Sequence, residues 1–195
     1  MSLTIRSLCV FCGSRKGNRP EYSRAAAELG QLLAKGNITL VFGGGHIGLM
    51  GVLAQACLQA GGKVTGVIPG GLAELELAYQ DVTELCVVDS MHERKALMAS
   101  RADAFMALPG GFGTCDELFE ILTWAQLGMH NKPIGLLNTE RFFQPLLNWV
   151  DHMVEEGLVK PANRALLRVD DSPAGLLELL KEEVPLRHPL MELEP

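Results

Sequence analysis

The chain has 195 residues, 48% hydrophobic and 21% charged, with a formal net charge of −6; that length suits one domain with a sizeable buried core and excludes a disordered chain. The acidic balance argues against a nucleic-acid polymer or a membrane surface as partner, yet local dipoles and an arginine or two suffice for one small anion. Residues 1–6 lack the apolar core of a signal peptide and no apolar run reaches the ~20 residues of a membrane span, while five cysteines, mostly inside apolar runs (Cys9, Cys57, Cys86), read as reduced thiols in a cytoplasmic protein.

Residues 8–11 predict a first buried strand, ending at Cys12-Gly13-Ser14. An amphipathic helix follows over 20–35, with Pro20 near its start and Gly36 at its end. Strand two (38–42) runs into Gly43-Gly44-Gly45-His46-Ile47-Gly48, then a helix over 49–60 and a third strand over 63–68. A glycine-rich stretch carrying Glu74 and Glu76 breaks the rhythm before a strand at 84–88. Residues 90–99 form a helix, with Ser90 and Glu93 spaced as a capping box. The apolar run 104–108 is a buried strand, and Pro109-Gly110-Gly111-Phe112-Gly113-Thr114-Cys115-Asp116-Glu117 turns it into a helix reaching about 127. Further strands at 133–137 and 166–169, with helices at 142–156 and 176–183, complete a single domain over 1–185; 186–195 is an irregular tail.

Apolar strands alternating with helices imply an α/β fold: one Rossmann-like, doubly wound parallel sheet with helices on both faces. Ligands in such sheets bind beyond the carboxyl ends of the strands, where the three glycine turns after Phe11, Phe42 and Leu108 lie. In the third turn, missing β-carbons let a ligand approach the backbone, and the new helix offers free N–H groups and a positive dipole end to a phosphate. Thr114 and Glu117 also fit a plain capping box, which leaves Gly110, Gly111 and Gly113 unexplained.

Gly43 to Gly48 matches G-x-G-x-x-G, but it follows the second strand and no acidic residue ends the next one, at Val67-Ile68-Pro69. A mononucleotide is the better guest there, with Gly13, Ser14, Gly44, Gly45 and Met91 as further contacts. Cys9-x-x-Cys12 has no second pair and the histidines are scattered, so no metal is expected. Arg94 shares a helix face with Met91, Leu97 and Met98. It either snorkels to water over a packed stem or binds an anion through its fork.

Taken together, Ser90-Met91-His92-Glu93-Arg94-Lys95 and the run 109–117 resemble the paired signatures of the LOG ("Lonely guy") family. Its members are cytokinin riboside 5′-monophosphate phosphoribohydrolases, long labelled lysine decarboxylases. The resemblance extends through residues 11–14, 41–45, 123–128 and 132–138, with Tyr79 standing where many members carry histidine. It implies hydrolysis of the N-glycosidic bond of AMP or an N6-substituted AMP to a free base and ribose 5-phosphate, without a cofactor, in a homodimer with sites near the interface. Substrate contacts then fall on Glu76, Arg94, Lys95, Gly111, Phe112, Gly113, Thr114, Cys115, Asp116, Glu117 and Thr123, with Arg94 and Glu117 as the catalytic pair. Glu117, expected in the first helical turn, should be held ionised by the helix dipole. A non-catalytic nucleotide- or cofactor-binding module is the alternative, and a decarboxylase lacks a lysine placed for a pyridoxal Schiff base.

Overall fold

The strand segments are apolar on both faces, so each face of the sheet needs cover, and the helices between them supply it. The computed structural model describes residues 3–74 and 78–182. In chain order these form β1 (Ser7–Phe11), α1 (Pro20–Lys35), β2 (Thr39–Phe42), α2 (Gly48–Gln59), β3 (Val64–Pro69), α3 (Gly70–Glu74), β4 (Glu84–Val88) and α4 (Met91–Ser100). Then follow β5 (Ala104–Ala107), α5 (Phe112–Gln126), β6 (Ile134–Leu137), a 3-10 turn (Thr139–Arg141), α6 (Gln144–Glu155), α7 (Pro161–Arg164), β7 (Leu167–Asp170) and α8 (Pro173–Leu180).

All seven strands are parallel, in the order β4-β3-β2-β1-β5-β6-β7. The chain therefore winds from β1 out to β4, returns beside β1 as β5, and winds the other way. That reversal opens a crevice at the carboxyl ends of β1 and β5. Val10 of β1 is in register with Phe42 of β2 and Met106 of β5. Alternation along β1 splits the core in two: Leu8 and Val10 pack with Leu29, Leu33 and Leu53 of α1 and α2, Cys9 and Phe11 with Met98, Leu118 and Ile121 of α4 and α5. Each large side chain so buried contributes ~1.5–3 kcal/mol.

Most expected elements occur within a residue or two of their place, with three differences. Helix α5 begins at Phe112 with Gly111 at its N-cap and no side-chain cap. Thr114 and Glu117 are therefore no capping box, and Glu117 sits in the second turn. Helices α3 and α7 and the 3-10 turn were not expected; they are too short to carry a periodic apolar pattern. Helix α8 starts three residues early because Ser172 caps it, its hydroxyl accepting from the Gly175 N–H at 3.1 Å. The expected contact Glu76 and the tail 186–195 lie outside the described residues.

Candidate active site

Helix α4 carries the first half of the site. Ser90 caps it, accepting from the Glu93 N–H at 3.1 Å, while the Glu93 carboxylate reaches back to the Asp89 N–H at 3.0 Å. This fixes the first turn and turns the face bearing Arg94 and Met98 onto the sheet, where they are 9% and 1% exposed. Arg94 does not snorkel. Its Nε donates to the Val67 carbonyl at 3.1 Å, its Nη2 to the Gly43 carbonyl at 3.4 Å and its Nη1 to Glu117 Oε1 at 2.8 Å. The residue after β2, strand β3 and helix α5 thus each supply one acceptor, a fork geometry that only arginine satisfies.

Helix α5 supplies the second half. Its first turn, built from Gly111, Phe112, Gly113 and Thr114, has bare N–H groups at the end of β5, the arrangement that attracts an anion. The glycines of this turn divide by purpose. A β-carbon on Gly110 would lie 2.6 Å from the Thr114 Cβ, so Gly110 makes room for the protein itself. Gly111 and Gly113 face open space: a β-carbon on either would meet no protein atom within 4 Å. Neither has a positive φ. Nothing in the fold demands glycine there, which fits a guest lying against the backbone.

Glu117 is 7% exposed. Burial pushes its carboxyl above the ordinary value of 4.5, and Arg94 pulls against that rise by charge and by hydrogen bond. The expected effect of the helix dipole is thereby corrected: Glu117 lies one turn inside the helix, and burial outweighs the opposing pull of the guanidinium. Arg94 engages Oε1 only, among the described contacts, leaving Oε2 for a group in the crevice.

The pair borders a cavity of about 200 Å³ lined also by Val10, Cys12, Gly13, Ser14, Gly43, Met50, Gly111, Phe112, Gly113 and Thr114. A larger one of about 520 Å³ adjoins it across Phe112, with Arg15, Lys16, Tyr22, Leu49 and Phe142 in its wall. Among the described residues no carboxylate lines it, whereas Glu117 lines the smaller one. Burial pushes the Cys9 and Cys12 thiols up, and both are free. Among the described residues no three His, Cys, Asp or Glu side chains group as metal ligands.

Of the residues singled out in the sequence, Gly13, Ser14, Arg94, Gly111, Phe112, Gly113, Thr114 and Glu117 meet around this cavity. Lys95, Cys115, Asp116, Met91, Gly44, Gly45 and Thr123 are not in its lining. The Lys95 ammonium bonds Glu120 at 3.0 Å and Asp116 at 3.1 Å. Burial works against that charge, but the two carboxylates outweigh it and hold the lysine above its ordinary value. Gly44 is pressed on Val67 and Ile68 of β3, and Gly45 bridges to Ala78. Both glycines are thus packed against the protein's own backbone and side chains. Thr123 donates its hydroxyl to the Phe119 carbonyl at 2.7 Å and lines a separate cavity with Phe119, Trp149 and Met153. Gly43 and Met50 were missed as site residues, since neither has a side chain that advertises chemistry.

A family described as "Possible lysine decarboxylase" matches residues 50–180. A cytokinin riboside 5′-monophosphate phosphoribohydrolase of Arabidopsis thaliana is 49% identical over 184 residues, 94% of this chain and 86% of its own length. A second enzyme of that name from the same plant is 47% identical over 181 residues, 93% and 85% of the two lengths. Among solved structures, the molybdenum cofactor binding protein of Rippkaea orientalis superposes with a TM-score of 0.70 at 23% identity, covering 92% of this chain and 98% of that one. That likeness is one of fold.

Proposed function

We propose, from the premise that this chain belongs to the LOG family of cytokinin riboside 5′-monophosphate phosphoribohydrolases, that Arg94 and Glu117 carry its chemistry. The reaction is hydrolysis of the N-glycosidic bond of a nucleoside 5′-monophosphate, AMP or an N6-substituted AMP, and the enzyme is an N-glycosidase. One observation supports the assignment above others: the buried Arg94–Glu117 pair lies one turn beyond the glycine N-terminus of α5. With the 5′-phosphate on the amides and hydroxyl of Gly113 and Thr114, about 5 Å of helix rise carries the ribose to Glu117.

Cleavage of this bond passes through a ribosyl cation. As the C1′–N9 bond breaks, its electron pair leaves with the base. The Glu117 carboxylate faces the positive charge growing at C1′ and takes a proton from the water whose oxygen bonds there. That proton passes on to the departing base, which leaves neutral beside ribose 5-phosphate. Arg94 fixes Oε1 and opposes the rise that burial causes in the acid's pKa, and its remaining N–H groups are available to the ribose hydroxyls. Burial raises the proton affinity of Glu117 above that of a free carboxylate, which strengthens it as a base. No lysine lines this cavity among the described residues, so it offers no amine for a Schiff base.

We place the homodimer on the face of α5 and α6. Trp149 there is 54% exposed and packs edge-on against Phe119, and Leu127, Met129 and Leu158 are exposed nearby in the chain. Exposed aromatic and aliphatic side chains of this kind suit a subunit contact. Thr123 is six residues, or about 9 Å of rise, beyond Glu117; its family role is met most simply in the site of a second copy. Incubation with AMP and with isopentenyladenosine 5′-monophosphate tests the function. Equal amounts of free base and ribose 5-phosphate are expected; tight binding with no base released favours a non-catalytic carrier.

A further inference from the structure

Gly43 directly follows β2, and its φ is not positive, so no left-handed backbone conformation demands glycine there. The reason for glycine is spatial. A β-carbon built on Gly43 lands on the guanidinium of Arg94, on Nη2, with Cζ at 3.0 Å and the Met50 sulfur at 3.3 Å. The carbonyl of the same residue accepts from Nη2. We infer that Gly43 is a positioning residue for catalysis, its absent side chain forming the seat that holds the Arg94 guanidinium against Glu117. The inference rests on the reading of Arg94 and Glu117 as the reactive pair.

Three features separate this from ordinary close packing. The atoms met first belong to the far end of a flexible side chain, so an added methyl group is accommodated by moving that end and leaving β2 in place. The end that must move carries the charge that opposes most strongly the upward shift of Glu117. The remaining bonds of Arg94, to Val67 and Glu117, lie on other elements, and a guanidinium is rigid. It cannot retreat from Gly43 without turning away from at least one of them. A shift of about an ångström at such a site costs on the order of 100-fold in rate.

The test is Gly43→Ala, read first without substrate. Glu117 is faced by Arg94 and Lys95 of α4, by its neighbour Asp116, by the thiol of Cys9 on β1 and by that of Cys12 just beyond it. Only Arg94 touches Gly43. Carbon-detected NMR of the labelled Glu117 carboxyl should show its titration move up by about one pH unit when the guanidinium is displaced, with the melting temperature held within a few degrees. An unshifted titration in the folded variant overturns the inference, whatever the enzyme's substrate. Kinetics then give kcat lowered on the order of 100-fold with KM changed little.

A cycle with Arg94→Lys keeps a cation but leaves the seat empty, because the slimmer ammonium does not fill the guanidinium's space. Gly43→Ala should cost nothing further in that background. A loss as large as in the wild type overturns the seat and assigns Gly43 a structural role. Should Glu117→Gln turn over normally while the carboxyl titration still shifts, the catalytic reading fails and the seat stands.

Discussion

Arg94 Nη1 and Glu117 Oε1 lie 2.8 Å apart, both side chains almost wholly buried, although 23 residues of chain separate them. The two charges meet because α4 packs on β3 and α5 on β1, on the same face of the sheet, with Arg94 and Glu117 both at the crevice. A buried pair of this kind is a poor device for stability, since desolvation offsets most of its attraction. It is a good device for holding a carboxylate ionised where water is scarce.

Removing one partner should separate function from fold. Arg94→Ala leaves a buried carboxylate without its counter-charge and should cost about 3–5 kcal/mol of stability, visible in urea unfolding. Glu117→Gln keeps an acceptor for the guanidinium and should fold, bind AMP and lose turnover by ~100-fold or more. Near-normal turnover in the glutamine variant would return Glu117 to a structural role.

The pH dependence follows from the direction of the Glu117 shift. Its folded pKa is raised, so below the ordinary value of 4.5 its contribution to stability is fully present, and it is lost as pH rises through the folded value. Activity runs the other way, because the carboxylate is the working form. The acid limb of kcat/KM should therefore lie above 4.5, and should vanish as a distinct limb in Glu117→Gln. A limb at or below the free-glutamate value contradicts the assignment.

The two open glycines give a prediction with opposite signs. Gly113 lies inside α5, so Gly113→Ala should stabilise the fold by up to ~1 kcal/mol. The same methyl group enters the space assigned to the phosphate and should raise KM for AMP roughly tenfold, about 1.4 kcal/mol. Melting temperature and KM measured on one preparation check both. Gly110→Ala should instead destabilise, because its β-carbon meets Thr114.

Lys95 acts at one remove. Lys95→Ala uncovers the carboxylates of Asp116 and Glu120 near the phosphate turn, and KM should rise several-fold, more at low salt. Lys95→Ala with Asp116→Ala should recover most of the loss.

Much of this was legible in the chain. Continuous apolar strands, Pro20 opening α1, Ser90 with Glu93, and glycines at strand ends have local causes, and local causes can be read from sequence. What could not be read depends on contacts across the fold. The true start of α5 is hidden because Gly111 caps it without a side chain, while Thr114 and Glu117 imitate a capping box. The choice between a snorkelling and a buried Arg94 turns on an acceptor far along the chain. Lys95 looks available until Glu120 is seen beside it, and the glycine triplet after β2 resembles a nucleotide loop until Arg94 is found filling the first.

Whether Glu117 converts a bound mononucleotide is read from base release under matched occupancy. Wild-type protein and Glu117→Gln are each saturated with AMP, as established by calorimetry, then quenched at intervals and the products separated. Adenine and ribose 5-phosphate are expected in equal amounts from the wild type, with release at least ~100-fold slower from the variant at comparable affinity. Equal rates of release from the two proteins would contradict that role of Glu117.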